Sequence, residues 1–211
     1  MTQPPVVYDN DRPEMLAFVP RDASSILDVG CATGRFGETL RAARSGAAIH
    51  GIDPTEHDAA RPNPYDTRTT GLYPQDLPAG VRYDCVIFND VLEHMPDPWA
   101  ALRATRELLT DRGRVVASIP NVRHLTVLLP LVLKGRWHYD DSGILDRTHL
   151  RFFTRRSMRD LFESSGYDVL QVEPVRVTKP RSIGRVDRML GGAFTEFIAH
   201  QYAVVARLRG G

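Results

Sequence analysis

Short apolar runs that end in an acid or a turn residue recur along this chain, separated by stretches with helical periodicity. Ser25-Ile26-Leu27-Asp28-Val29 runs into Gly30, and residues 35–43 behind it suit a helix, so the unit reads as strand, tight turn, helix. Residues 47–52 form a second apolar run that closes on Asp53. The almost fully apolar 85–88 suits a strand buried on both faces of a parallel sheet. Pro98 fits a helical first turn with Asp97 as N-cap, which predicts a helix through Leu109 ending near Gly113. Residues 113–121 then form a strand and its exit loop. A helix over 154–165 places Met158, Leu161 and Phe162 on one face before Gly166 stops it. Strands over 167–172 and 201–208 complete the pattern. Residues 11–19 predict a short leading helix capped by Asp11, after a polar lead-in over 1–10; residues 61–64 predict a surface loop. Residues 173–200 form a long connection with a helix at 185–190. Strands that alternate with helices in this way predict an α/β fold.

Composition narrows the class. At 211 residues, the chain is expected to be one domain spanning 1–211, with a substantial core. Lys and Arg number 27 against 26 Asp and Glu, so no global basic field exists to hold a nucleic-acid backbone. Local basic clusters occur at Arg151, Arg155, Arg156 and Arg159, and at Lys179, Arg181, Arg185 and Arg188. Two cysteines, Cys31 and Cys85, sit at predicted strand ends and argue against a disulfide framework. Neither a signal-peptide pattern nor an apolar run of membrane-spanning length is present, so the expected location is cytoplasmic, with no membrane partner.

The chemistry concentrates at the first turn. Glycine at the carboxyl end of a strand lets a ligand approach the main chain, and an acid at the next strand end can accept bonds from both hydroxyls of a ribose. A dinucleotide fingerprint beginning at Gly30 would require glycines where Ala32 and Arg35 stand, and no Walker lysine is present. The run Asp28-x-Gly30-x-Ala32-x-Gly34 resembles motif I of the class I S-adenosylmethionine-dependent methyltransferases, with Ala32 in place of the middle glycine. Residues 83–98, including Asp90-Val91-Leu92-Glu93-His94 and Asp97-Pro98, resemble motif IV of the same superfamily. The resemblance covers roughly residues 25–120. It implies a Rossmann-like, seven-stranded, mostly parallel sheet with helices on both faces, an antiparallel edge hairpin and a helical lid insertion. It also implies S-adenosyl-L-methionine as cofactor. Asp28, Gly30, Cys31, Thr33 and Gly34 would surround the amino-carboxypropyl tail, Asp53 would hold the ribose, and Asn89 would meet the methionine end by its backbone. Many relatives place an acid after the glycine that precedes the fourth strand. Here Gly71 is followed by Leu72 at the adenine position, with Asp76 or a backbone contact left to compensate.

Residues 121–153 form an insertion over the strand ends and are the candidate lid, where fixed-scaffold enzymes commonly place their specificity. Pro120-Asn121-Val122-Arg123-His124 and the later Asp146-Arg147-Thr148-His149-Leu150-Arg151 resemble a subgroup of small bacterial methyltransferases, as does Tyr8-x-x-x-Arg12-Pro13-Glu14. Some members act on sugars or on glycan and natural-product intermediates. A weaker likeness runs to quinone-precursor O-methyltransferases and to MetW-type proteins. A hydroxyl acceptor must lose its proton, and histidine is the usual base at neutral pH. His149 is the candidate base, with Asp146 to fix its tautomer, although the pair could equally cap a turn and pack. Glu93 and His94 are expected in the same cleft. No metal is assigned, since these four residues carry no fixed ligand spacing. The expected function is O-methyl transfer to a small polar acceptor; the alternative is a non-catalytic, MetW-type partner subunit. The apolar run 125–133 could serve a homodimer contact as readily as a lid.

Overall fold

The computed structural model describes residues 11–56, 58, 60–177 and 194–210. Seven strands form one sheet: β1 (Ser25–Val29), β2 (Ala48–Asp53), β3 (Thr67–Thr70), β4 (Tyr83–Asn89), β5 (Leu109–Pro120), β6 (Tyr167–Val177) and β7 (Ala199–Leu208). Their order is β3-β2-β1-β4-β5-β7-β6. The first five are parallel, and β7 inserts antiparallel between β5 and β6. The order reverses between β1 and β4, and the crevice above that switch point is where open α/β sheets bind ligands.

Alternation along the strands divides the core between two faces. Leu27, Val29, Val86, Phe88, Val115 and Ala117 pack on one side, with Leu102 of α2 (Pro98–Thr105) and Met158, Leu161 and Phe162 of α4 (Arg155–Ser164). Ile26, Cys85, Ile87 and Val116 face the other side, against Phe36 and Leu40 of α1 (Arg35–Ala43) and Met15 of the leading 3-10 helix Pro13–Phe18. Strands buried on both faces carry no polar side, which is why 85–88 is apolar throughout. Both cysteines are free and buried.

Local signals set the helix ends. Asp97 accepts from the Ala100 amide at 2.8 Å, as predicted. Thr154 and Ser157 form a reciprocal capping box, and Gly166 takes φ +94° behind α4. Several predicted boundaries shift. The second helix is α-helical to Thr105 and continues as a 3-10 turn over Arg106–Leu108, and Leu109, fully buried and paired with Tyr83, opens β5 rather than continuing towards Gly113. The leading helix is capped at Arg12, with φ +45°, and not at Asp11. Strand β6 runs on to Val177, and β7 begins at Ala199. Strand β3 carries no apolar signal in its sequence, Thr-Arg-Thr-Thr, and polar contacts such as Thr69 to His50 at 2.8 Å accompany its pairing. The expected segments 1–10 and 185–190 lie outside the described residues.

The insertion is helical only over α3 (Leu125–Lys134). Its base is pinned: the Asn121 side chain donates to the carbonyls of Glu196 and Ala199, at 2.7 and 2.9 Å, and the Val122 amide donates to Phe153 at 2.9 Å. A short helix α5 (Thr195–Ile198) sits beside it. The outer end of α3 is bare, with Val132 75% and Leu133 73% exposed. Among the described residues, no helix is long and apolar enough to cross a membrane.

Candidate active site

Two cavities meet over the switch point. The first, about 250 Å3, is lined by Asp28, Gly30, Cys31, Thr33, Asp53 and Asn89 among others, which brings together most of the residues assigned to the cofactor from sequence. Gly30 takes φ +71°, and its amide and that of Cys31 both donate to the Ile52 carbonyl, at 2.8 and 3.3 Å. Gly34, at φ +91°, caps α1 and completes the turn. Each Asp53 oxygen accepts one backbone amide, Oδ2 from Ala32 at 2.9 Å and Oδ1 from Thr55 at 2.8 Å. Each retains further lone-pair capacity for a ligand hydroxyl. Asp28 is buried and accepts from Tyr65 Oη at 2.7 Å. Burial pushes its carboxyl up to about 7, against the opposing effect of that hydrogen bond.

An adjoining apolar cavity of about 650 Å3 is lined by Val29, Ile52, Leu72, Tyr73, Gln75 and Met95 among others. Leu72 and Gln75 line this cavity, and Asp76 Oδ2 accepts from the Leu72 amide at 2.7 Å at its edge.

A third cavity, about 460 Å3, opens beyond Arg12, Asp90 and His94, which line both it and the cofactor turn. It gathers Glu93, Asp146, His149, Arg176, His200 and Gln201, so all four candidate catalytic residues converge here from two distant segments. The His94 and His149 rings meet edge to face at 4.7 Å. The Glu93 backbone carbonyl accepts from Leu150 and Arg151 at 2.8 and 3.0 Å, which fastens the far arm of the insertion to the strand-β4 exit.

The geometry revises two expected roles. His149 Nδ1 lies 3.0 Å from the Ile144 carbonyl. A carbonyl only accepts, so Nδ1 carries the proton and Nε2 keeps its lone pair. The Ile144 carbonyl, not Asp146, thus sets the tautomer. Asp146 Oδ1 instead accepts from the Thr148 amide and hydroxyl, at 2.8 and 2.7 Å, as in a capped turn, while its charge raises the His149 pKa. Burial outweighs that charge and lowers His149, and it lowers His94 as well, so both rings are neutral near pH 7. Glu93 is buried with neither carboxyl oxygen hydrogen-bonded, and desolvation pushes it up to about 8. At neutral pH it is therefore an acid that can donate, not a base. Glu93, His94 and His149 each offer a ligand atom, all within 4.8 Å of one another, and could hold a divalent cation.

Some site residues carried little sequence signal. Arg12 is buried, paired with Asp90, and donates to Gln201 Oε1 at 2.7 Å. Gln201 Nε2 and Ser118 Oγ both donate to Asp90 Oδ1, at 2.8 and 3.0 Å. Only the Tyr8-x-x-x-Arg12 spacing hinted at Arg12; Gln201 comes from a strand that gave no local clue. Burial lowers Arg12 to about 10, which still leaves it charged.

A doubly wound sheet with a glycine turn facing an acid at the next strand end is the architecture of a nucleoside-cofactor protein. The chain belongs to the methyltransferase domain family, whose model matches residues 8–172. It is 32% identical over 170 residues to a ubiquinone biosynthesis O-methyltransferase of Cereibacter sphaeroides, a match covering 76% of this chain and 66% of that protein. The chain thus spans just under two thirds of that relative's length. Its fold matches the CcbJ methyltransferase of Streptomyces caelestis with TM-score 0.62 at 14% identity, covering 95% of this chain and 89% of the other. It also matches the plantazolicin methyltransferase BpumL in complex with S-adenosylhomocysteine, with TM-score 0.63 at 15% identity, covering 93% and 80%. S-adenosylmethionine is the cofactor of this class, and the residues fit it. Asn89 Oδ1 and Nδ2 are buried without partners in the wall of the first cavity, an unmet donor and acceptor suited to a polar amino-acid tail.

Proposed function

We propose that this chain transfers the methyl group of S-adenosylmethionine to a hydroxyl of a small polar acceptor, a sugar or a glycan or natural-product intermediate. Bound cofactor supplies an electrophilic methyl on a sulfonium. Asp53, Asn89 and the 30–34 turn hold it, and the insertion 121–153 acts as the lid that orients the acceptor and excludes water. Such alignment contributes several kcal/mol, up to about 7–11 in ideal intramolecular systems. With an acceptor hydroxyl held against that methyl, His149 Nε2 would take the hydroxyl proton. Protonated Glu93 donates a hydrogen bond to the acceptor. The observation that carries this reading is the 460 Å3 cavity that gathers Glu93, Asp146 and His149 and shares Arg12, Asp90 and His94 with the cofactor pocket.

Calorimetric titration with S-adenosylhomocysteine, on wild type and Asp53→Ala, tests the cofactor half. Micromolar binding lost in the variant supports it and opens a screen of hydroxyl acceptors, sugars first and phenols next. No binding to wild type sinks the enzyme reading. Binding without transfer to any acceptor favours the partner-subunit alternative. A second reading of the acceptor half places a divalent cation on Glu93, His94 and His149, favoured by their ligand atoms lying within 4.8 Å. Transfer abolished by a chelator and restored by added Mg2+ or Zn2+ would favour it.

A further inference from the structure

Ala32 stands in the cofactor turn where motif I of the resembling superfamily carries glycine, and it adopts φ +42°. The left-handed region is costly for a residue with a Cβ, so something must hold it there. The peptides on either side are gripped from two directions. On the amide side, Asp53 Oδ2 accepts from Ala32 at 2.9 Å. On the carbonyl side, Arg68 Nη2 donates to Ala32 O at 2.7 Å, and Nη1 of the same guanidinium reaches Cys31 Sγ at 3.0 Å. Arg68 lies on edge strand β3 in register with Gly51, whose missing side chain makes room for Cys31 Sγ and the Tyr65 ring, which a Cβ there would meet at 2.9 and 3.0 Å. The guanidinium also sits 5.9 Å from the centre of the Tyr65 ring, whose hydroxyl donates to Asp28. One side chain therefore ties together Cys31, Ala32 and the tyrosine behind Asp28. A rigid two-donor fork suits this task better than a single ammonium.

We propose that Arg68 is a positioning residue for the cofactor turn, holding in Ala32 a backbone conformation that glycine would hold unaided. The inference rests on the cofactor reading above for its functional consequence, but not for its structural one. It predicts coupling between two positions that a merely structural arginine would not show. Wild type, Arg68→Ala, Ala32→Gly and the double variant are compared by amide hydrogen exchange of residues 30–34 in cofactor-free protein, and by titration with S-adenosylhomocysteine. Arg68→Ala should accelerate exchange at those amides and weaken binding about tenfold, which corresponds to about 1.4 kcal/mol. In the Ala32→Gly background, the same substitution should change both readouts by no more than about threefold. Equal losses in both backgrounds, or no loss in either, would overturn the proposal. Should Arg68→Ala not fold, Arg68→Lys retains the charge with one donor group, and its exchange defect must likewise vanish beside Ala32→Gly. Wild type that fails to bind S-adenosylhomocysteine would sink the cofactor reading, while the exchange data would still decide the clamp.

Discussion

The cofactor half and the acceptor half of this cleft are built by opposite means. The first is made mostly of backbone: Gly30, Cys31, Ala32 and Asp53 belong to two neighbouring strand ends, and main-chain groups meet there with the Asp53 carboxylate and the Arg68 guanidinium. The second is made of side chains that meet only in the folded molecule, with Glu93 and His94 from the β4 exit, His149 from the insertion, and Gln201 from β7. A backbone site tolerates few sequences and keeps its shape when empty. A site of convergent side chains can be rebuilt for a new acceptor by changing the insertion alone, which is how one scaffold serves many substrates.

If the halves are separable, substitutions should affect one and spare the other. The largest expected effect is on the acceptor side. His149→Ala should lower kcat by about 10²–10⁴, the usual worth of a positioned general base. Affinity for S-adenosylhomocysteine should stay within about threefold of wild type, because His149 does not line the cofactor pocket. In wild type, kcat/KM should fall on the acid side with a midpoint below 6.5, since burial lowers His149 from that value. An acid limb above 6.5, or a variant that retains its rate, would remove His149 from the chemistry. Asp53→Ala comes next. It removes the carboxylate proposed to hold the ribose hydroxyls, so affinity should fall about 10- to 100-fold by calorimetry, in line with about 1.5–3 kcal/mol for hydrogen bonds to a charged group, while the unpaired Ala32 and Thr55 amides cost stability in free and bound protein alike. Unchanged affinity would show that the acid serves only the fold.

The same contrast explains what the sequence revealed. Motif I and Asp53 were legible because the turn needs particular residues at fixed local spacing, and the apolar runs of β1, β4 and β5 follow from burial on both faces. Strand β3 was not, because an edge strand of Thr and Arg needs no apolar face. Arg68 was missed with it. The convergence of Glu93, His94, Asp146 and His149 was expected, yet their division of labour was not. The Ile144 carbonyl that fixes His149 is main chain, and no residue type announces it. The protonation of Glu93 comes from desolvation, a property of the assembled cavity rather than of the tetrapeptide around it.

Glu93 offers a sharper test of the acceptor side, with a smaller effect. Its folded pKa is raised from 4.5 to about 8, so the folded state holds a proton that the unfolded chain has released. Its contribution to stability is therefore fully present below about 4.5 and declines as pH rises through about 8, with a slope of up to about 1.4 kcal/mol per pH unit. Glu93→Gln is a neutral isostere of the protonated acid. Denaturant unfolding should find the variant close to wild type below about pH 4.5 and increasingly more stable than wild type between about 4.5 and 8, with the gap levelling off above that. Parallel pH profiles for the two proteins would mean that Glu93 is ionised in the cavity, and would return it to the list of candidate bases.

The smallest effect belongs to the outer end of α3, and it tests whether the insertion is tied to the scaffold only at its base. Val132 is 75% exposed, whereas Val127 of the same helix is buried at 4%. Val132→Ser removes almost no packing, so the unfolding free energy should move by less than about 0.5 kcal/mol. Val127→Ser exchanges a buried branched side chain for a smaller polar one, so it should cost more and loosen the histidine pair through the insertion's far arm. If wild-type stability instead rises with protein concentration and Val132→Ser removes that rise, the bare face of α3 is an interface between two copies of this chain.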